Sequence, residues 1–466
     1  MSQLNKPNGN SIVSLIRSSK QYASQIDEAE IRHMVHEAVR LAGGLSDIVK
    51  DGQTVVVKPN VVVTRHVSGN IKPLLMLVSD PFKESVQIPE LMNGVTTDRR
   101  VTKAVVELVR ELNPSGKVYI MECAGDGKTS ENLKRMGYNH ENIPGVDEFI
   151  AIGENGDYRD VEAEDLVAVE VKNQQCKKLP KFLKNKYYFD KIYYSADVII
   201  SLCCLKNHAN TAMTGGIKNV GLGARPAKIY SPKGKTVSAF VINHAWEPIN
   251  DFIHDYYAAK PVDFVLTDGL EGSQYGNACQ GAPSYEEAKM NMRLILASKD
   301  AVAADSIHSC IIGIDPEKVK HLKDLARDGF GEIDSSKITV VGNVRVDEVK
   351  KPFSFARGIL GKIFKEPPKK RYSDYEAPEV KIEDISIKDN RIEAKLTTAT
   401  KTNKVELFID GKLVETFTEG FDQLQYPLNG EISEGSHEIT FYAYDRFLNC
   451  GYKTTTFAKS ELKNSS

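Results

Sequence analysis

Cysteine is sparse in this 466-residue chain and never clusters: Cys123, Cys176, Cys203, Cys204, Cys279, Cys310 and Cys450 are odd in number and show no Cys-x-x-Cys spacing. That pattern excludes a disulfide framework and a local zinc or iron–sulfur motif. An excess of one charge is also missing. The 61 Lys and Arg nearly cancel the 63 Asp and Glu, leaving a formal net charge of -2. No overall pull toward nucleic acid or anionic membrane is expected, and any basic surface must be local. Long apolar runs are absent too: none approaches the roughly 20 residues that a membrane-spanning helix needs. Met1 to Gln25 lacks the apolar centre of a secretory signal. The expectation is a cytoplasmic protein with no transmembrane segment and no nucleic-acid partner. Length is what the chain does have, and at roughly 100–200 residues per domain it implies two or three domains.

Taken in order, Asp27 to Ala42 places Ile31, Val35, Ala38, Val39 and Ala42 on one helical face, and Gly43-Gly44 supplies a stop. Thr54-Val-Val-Val-Lys-Pro-Asn60 predicts a short buried strand ending at Pro59. Val61 to Asn93 is long and irregular, as lids and binding loops often are. Thr96-Thr97-Asp98 offers capping side chains to a helix from Arg99 to Leu112. Further strand-like runs are Lys117–Glu122, Leu166–Val171, Asp197–Cys204, Val262–Thr267, Arg293–Ala297 and Ile338–Val341. Apolar strands alternating with helices predict an α/β core with a mainly parallel sheet and helices on both faces.

Ligands of such sheets bind beyond the carboxyl ends of the strands. The residues standing there are Lys58 and Asn60, then Glu122, then Lys206 and His208, then Asp268-Gly269, then Asp300 and Asp305. The densest segment is Lys206 to Gly223, with two lysines, a histidine, a threonine and several glycines directly after an apolar run. Glycines let backbone N–H groups approach an anion, and lysines add point charge. The glycines could equally serve tight turns alone. No Walker Gly-x-x-x-x-Gly-Lys-Ser/Thr motif is present. Lys58, Lys206 and Lys218 are therefore expected to line a cationic pocket for phosphate or carboxylate, with Asn60, Thr214, Gly215, Gly216 and Asn219 around it. His208 is the candidate acid or base, with Lys218 and Lys206 as the other candidate catalytic residues. Glu122, Asp268 and Asp305 could bind ligand or metal, or position the lysines; Asp305 could also support the helix that follows it. His244, beside the single tryptophan Trp246, ranks second.

Two basic stretches have bland alternatives. Lys177 to Tyr194 interleaves lysine with tyrosine and phenylalanine, which can bind single strands but more often packs its aromatics back on the domain. Lys350 to Arg371 has apolar residues at helical spacing before Pro367-Pro368, readable as a membrane-surface helix or, preferably, as a docked linker helix. From Ala377 the pattern changes to seven short strands without helices, with Asp410-Gly411 as a type I′ hairpin signal. This predicts a small all-β immunoglobulin-like sandwich. The expected division is residues 1–345, a basic linker at 346–376 and the β-sandwich at 377–466.

Val57-Lys58-Pro59-Asn60, Lys206-Asn207-His208, Thr214-Gly215-Gly216-Ile217-Lys218-Asn219, Asp268-Gly269 and Asp300-Ala301-Val302-Ala303-Ala304-Asp305 stand in order over roughly Gly44 to Asn343. In this the chain resembles the uncharacterised domain-of-unknown-function family number 362, which implies no particular reaction. Members often carry a ferredoxin-like iron–sulfur domain or an export signal; this sequence shows neither, so the resemblance lends it no redox role. Over the loop alone, His208 followed by Thr214-Gly-Gly-Ile-Lys218 is similar to the histidine and Gly-Gly-x-Lys pattern of the nickel-pincer lactate racemase family. There such a lysine holds a pyridinium-derived cofactor and histidines move protons. At the other end, Lys404-Val-Glu-Leu-Phe-Ile-Asp-Gly-Lys-Leu-Val resembles the immunoglobulin-like modules that bacterial proteins append to enzymes.

The residues thus point to an enzyme of unassigned reaction that binds an anionic small molecule or cofactor. A cofactor-delivery or partner-binding protein, docking or self-associating through its β-domain, is the alternative. A racemase or isomerase with a lysine-held cofactor is the third reading. The sequence names no metal and no cofactor.

Overall fold

The computed structural model describes residues 11–66, 86–125, 128–155, 160–208, 210–230, 248–276, 284–354, 377–388, 391–399, 401–428 and 435–458. His244, Trp246, Cys279 and most of the expected linker helix lie outside them. The chain forms two compact units, Met1–Ile333 with Val340–Lys370, and Asp334–Thr339 with Arg371–Ser466.

In chain order the first strands are β1 (Ser11–Arg17), β2 (Thr54–Lys58), β3 (Arg65–His66), β4 (Val86–Gln87), β5 (Lys117–Glu122), β6 (Glu148–Ala151), β7 (Leu166–Val169) and β8 (Tyr187–Asp190). They are followed by β9 (Val198–His208), β10 (Ala212–Met213), β11 (Phe264–Ser273), β12 (Leu294–Ser298) and β13 (Ile338–Gly342). A nine-stranded mixed sheet has the order β13-β1-β12-β11-β9-β2-β5-β6, with β10 paired to β9. The contiguous set β11-β9-β2-β5-β6 is parallel. β12 runs antiparallel to both β11 and β1.

Both faces of the sheet carry helices, and strand alternation decides which residue meets which layer. Val55 and Val57 of β2 and Ile200 and Leu202 of β9 share a core with Ile31, Val35, Val101, Val105 and Val109. Those last residues belong to the helices Glu28–Leu41 and Arg99–Leu112, N-capped by Asp27 and Asp98. Gly43 and Gly44, both at positive φ, close the first helix with N–H bonds back to Arg40 and Val39, the reciprocal pattern of a Schellman stop. The opposite face carries the helices Gly215–Gly223, Ile249–Ala259 and Ala301–Ile311. The last is buried on every side, which its Ala-Val-Ala-Ala sequence permits.

The Leu166 run does not join the main sheet: β7 pairs only with β8. β8 and the short helix after it carry the basic–aromatic stretch. Its Tyr187, Phe189 and Tyr193 are buried, with the Phe189 ring 4.0 Å from that of Tyr256. The aromatics face inward onto the Ile249–Ala259 helix, as expected of a packed excursion.

The second unit contains β14 (Val380–Lys388), β15 (Arg391–Thr398), β16 (Thr402–Ile409), β17 (Lys412–Phe417), β18 (Gln423–Pro427), β19 (Ser436–Asp445) and β20 (Cys450–Ala458). They form two antiparallel sheets, β14-β15-β18 and β17-β16-β19-β20. Ile392, Leu396 and Leu424 of one sheet and Val405, Leu407, Ile439 and Phe441 of the other share a single core. The hairpin at Asp410-Gly411 has φ 49 and 76, the two positive values of a type I′ turn. Within the unit, Lys404 is buried and donates to Glu406 at 2.6 Å and to the Ile338 carbonyl at 3.1 Å.

Candidate functional site

From β2 the parallel sheet is extended by β5 and β6 on one side and by β9 and β11 on the other. The order therefore reverses between β2 and β9, and in open α/β sheets a crevice opens beyond the carboxyl ends of strands at such a point. Lys58 ends β2 and pairs in register with Ser201, so β9 overhangs β2 from Leu202 to His208. Lys206 and His208 lie on this overhang, two apart and hence on the same side of the strand.

Five of the expected site residues converge here in one buried hydrogen-bond network. Lys58 Nζ donates to Glu122 Oε1 at 2.6 Å and to the Pro59 carbonyl at 2.7 Å, with Asn219 Oδ1 at 3.4 Å. Asn60 Nδ2 donates to Asn219 Oδ1 at 2.9 Å, and Lys206 Nζ donates to Asn60 Oδ1 at 2.7 Å and to the Val95 carbonyl at 2.6 Å. Glu122 also accepts the main-chain N–H of Val61 and of Cys123. The Lys58 and Glu122 side chains are 0% and 1% exposed. Lys58 is thus neutralised internally, and its charge organises the network before any ligand arrives. The network also needs close approach from Gly223: a Cβ there would lie 2.8 Å from Lys58 Nζ.

Much of the segment expected as a loop is helix, starting at Gly215, whose φ is +58. Asp305 supplies the reason for the turn. Its carboxylate accepts the N–H of Gly216 at 2.7 Å and of Ile217 at 3.0 Å, and a Cβ on Gly215 would stand 2.4 Å from Asp305 Oδ2. The first N–H groups of this helix are therefore taken by an internal carboxylate and are not presented to an external anion. Burial pushes Asp305 up to about 7 against the pull of those two donors.

Lys218 differs from the other two lysines. It is buried, and no hydrogen bond or ion pair joins its amine to any of the described residues. Burial, followed by the positive charges of Lys206, Arg225 and Lys58, holds it well below the ordinary lysine range. Burial likewise lowers Arg225. His321, wholly buried, is pushed down to about 3 by burial first and then by the charge of Lys218. Its Nδ1 lies 2.9 Å from Asn250 Oδ1, and its Nε2 has no partner among the described residues. The Thr214 hydroxyl is buried and without a partner in the same sense.

Asp268 belongs to a neighbouring cluster: it accepts from Asp98 N–H at 2.8 Å and Leu270 N–H at 3.0 Å. Burial and then the Asp98 charge raise it to about 7. His208 accepts at Nδ1 from Asn210 N–H at 3.3 Å. Asp300 does not stand on the rim. Because β12 is antiparallel, its carboxyl end lies at the opposite end of the strands, where Asp300 caps the Ala301–Ile311 helix and bonds Ser11 at 2.6 Å. Asp305 reaches the Gly215 turn from the second turn of that helix, not from a strand end. Sequence reasoning missed Arg225, two residues beyond the glycine helix, and His321, on a helix far along the chain.

Fold and site define an α/β protein with a mostly parallel mixed sheet and a buried cationic cluster at its switch point. The family described as a domain of unknown function, DUF362, matches residues 86–309. The match includes β5, β9, β11 and the Gly215–Gly223 helix but not Lys58 and Asn60. The chain is 25% identical over 356 residues to the thylakoid-associated protein sll1697 of Synechocystis sp., covering 74% of this chain and 90% of that protein. Among solved structures it is similar to fibronectin(III)-like modules of Clostridium thermocellum CbhA, with 18% identity over 17% of this chain and 93% of that one and a TM-score of 0.15. It is also similar to the PKD1 domain of Vibrio cholerae metalloprotease PrtV, with 14% identity over 18% of this chain and 96% of that one and a TM-score of 0.14. No helix among the described residues is long and apolar enough to cross a membrane.

Proposed function

We propose that the crevice between β2 and β9 binds an anionic small molecule, phosphate or carboxylate in character, and that the protein is an enzyme acting on it in the cytoplasm. The observation that carries this reading is Lys218: a buried amine surrounded by Lys206, Arg225 and Lys58, with no carboxylate partner among the described residues. A buried cation cluster of that kind is costly until a counter-charge arrives. Lys58, Asn60, Lys206, Asn219 and Glu122 then form the rigid base that holds the lysines apart, and Thr214 adds a hydroxyl. Proton transfer would fall to His208.

The lowered basicity of this amine supports a second reading from the same residue. A lysine whose proton is loosened by a desolvated pocket is a better nucleophile, as a racemase or isomerase holding its cofactor on Lys218 requires. In both readings the second unit, proposed as an immunoglobulin-like sandwich, would dock a partner or a second copy.

The test is thermal unfolding against a panel of inorganic phosphate, phosphorylated metabolites and mono- and dicarboxylates. A ligand at about 100 times its Kd stabilises by about 2.7 kcal/mol. The wild type should gain stability with at least one member, and Lys218→Met should lose that gain while keeping its circular dichroism. A panel without effect, or an equal gain in Lys218→Met, overturns the reading. A mass increment on Lys218 in the intact protein would select the covalent form.

A further inference from the structure

We infer that Cys203, Asp305 and His308 form a buried site for one divalent transition-metal ion, zinc by the character of its donors, set where the Gly215–Gly223 helix meets the sheet. Sulfur, carboxylate oxygen and ring nitrogen, one atom from each residue, all lie within 4.8 Å of one another. Three features of the fold bring them together. Cys203 and Ser201 alternate onto the side of β9 that faces this helix, where Ser201 Oγ donates to the Gly216 carbonyl. Asp305 and His308 stand three residues apart on the Ala301–Ile311 helix, the spacing that puts two side chains on one face. Asp305 is also anchored to the Gly216 and Ile217 N–H groups, which fixes its carboxylate.

The second observation is His308 itself. It is 0% exposed, and neither ring nitrogen has a partner at full hydrogen-bond geometry among the described residues, with only the Lys206 main chain in weaker reach of the ring. Under-satisfied nitrogens at full burial are a cost, and a metal bond to one of them removes its share. Zinc–ligand bonds of 2.0–2.3 Å place tetrahedral donors roughly 3.3–3.8 Å apart, so from a spread of up to 4.8 Å the three side chains would draw together on binding. Charge also balances: one thiolate and one carboxylate neutralise a dication, leaving a buried site without net charge. On binding, the Cys203 thiol, which burial keeps protonated, and Asp305, when protonated, release their protons to solvent. His308 is already neutral, pushed down to about 3 chiefly by burial. Thr267 Oγ1, 3.2 Å from Cys203 Sγ, adds a neutral oxygen beside the cluster. An ion here would lock the glycine turn that carries Lys218.

The experiment is elemental analysis of the full chain purified from zinc-supplemented cells, paired with absorption spectroscopy of cobalt-loaded protein. The wild type should hold about one equivalent, and cobalt should show the thiolate charge-transfer band and the visible bands of a tetrahedral ion. Cys203→Ser and His308→Gln should lose the metal. Cys204→Ser, whose thiol lies on the opposite face beside Thr97, should keep it. Wild type without stoichiometric metal after purification and after refolding with it, or metal retained equally in Cys203→Ser and His308→Gln, overturns the inference. Should the variants fold poorly, the wild-type cobalt spectrum decides: bound cobalt without the thiolate band excludes Cys203. Anion binding at Lys218 is measured separately and does not depend on the result.

Discussion

Replacing Lys218 by methionine removes the amine and keeps most of the side-chain volume. In the folded protein burial and three neighbouring cations hold this amine well below the ordinary lysine value of 10.5, whereas the unfolded chain restores it. The unfolded state therefore binds more protons wherever the pH lies between the two values, so wild-type stability rises with pH across that window. The slope is about 1.4 kcal/mol per pH unit for one group. Exchanging this unpaired buried amine for an apolar side chain removes a cost of about 1.4 kcal/mol for each unit by which the amine is lowered, counted down to the working pH. Lys218→Met should accordingly be more stable than the ligand-free wild type at pH 7. Its advantage should shrink by up to about 2.7 kcal/mol by pH 9. Urea unfolding of both proteins at pH 7, 8 and 9 measures this, and titrations common to the two cancel in the difference. A variant less stable at pH 7, or a difference independent of pH, would refute the argument that the amine lies uncompensated.

Other outcomes follow from the same geometry. Because an anion favours the charged amine, its binding should take up protons and weaken as pH rises; calorimetry in buffers of different ionisation enthalpy reads this directly, and buffer-independent heats would count against it. Removing either partner of the Lys58–Glu122 pair should cost about 3–5 kcal/mol, since the other charge stays buried. Removing both should cost less than the sum, which a double-mutant cycle resolves. Asp268 is raised to about 7 by burial and by Asp98, so the folded state holds the extra proton and wild-type stability falls as pH climbs from about 4 through 7. Asp268→Asn should therefore gain on the wild type over that range, and a flat difference in melting temperature would show Asp268 to titrate normally. Gly215→Ala, forced to φ +58 against the Asp305 carboxylate, should destabilise by more than about 1 kcal/mol in urea titration.

Local pattern made much of the architecture legible. The β-branched run of β2, the capped helix at Arg99–Leu112 and the seven C-terminal strands follow from periodicity and turn chemistry alone. Asp410-Gly411 adopts the two positive φ angles its sequence implies. Pairing direction was not legible. Leu294–Ser298 reads as a buried strand either way, and only its partners make it antiparallel, which moves Asp300 to the far end of the strands. β1 was missed because Ser11–Arg17 sits in a polar terminus and is completed by a partner some 280 residues away, Ser14 facing Ala297.

The candidate site divides the same way. Convergence of Lys58, Asn60, Glu122 and Lys206 was foreseeable from strand ends, whereas Asn219 joins them from the Gly215–Gly223 helix. Which lysine is internally neutralised was not, because Lys58 meets Glu122 across 64 residues of sequence. Thr97 shows the limit of capping rules: with Asp98 available as cap, its hydroxyl instead accepts Asn60 N–H and donates to the Leu202 carbonyl, tying the network to β9. Arg225 could have been found from its position after Gly221-Leu-Gly223. His321 carries no local signal, since its neighbours come from Asn250 and Lys218.

Native mass spectrometry of the full chain, purified from its own host without denaturation, tests the central claim most directly. The account predicts a small anionic adduct on the wild type that is absent from Lys218→Met prepared in parallel. Bare wild-type protein, or the same adduct on both proteins, would contradict it.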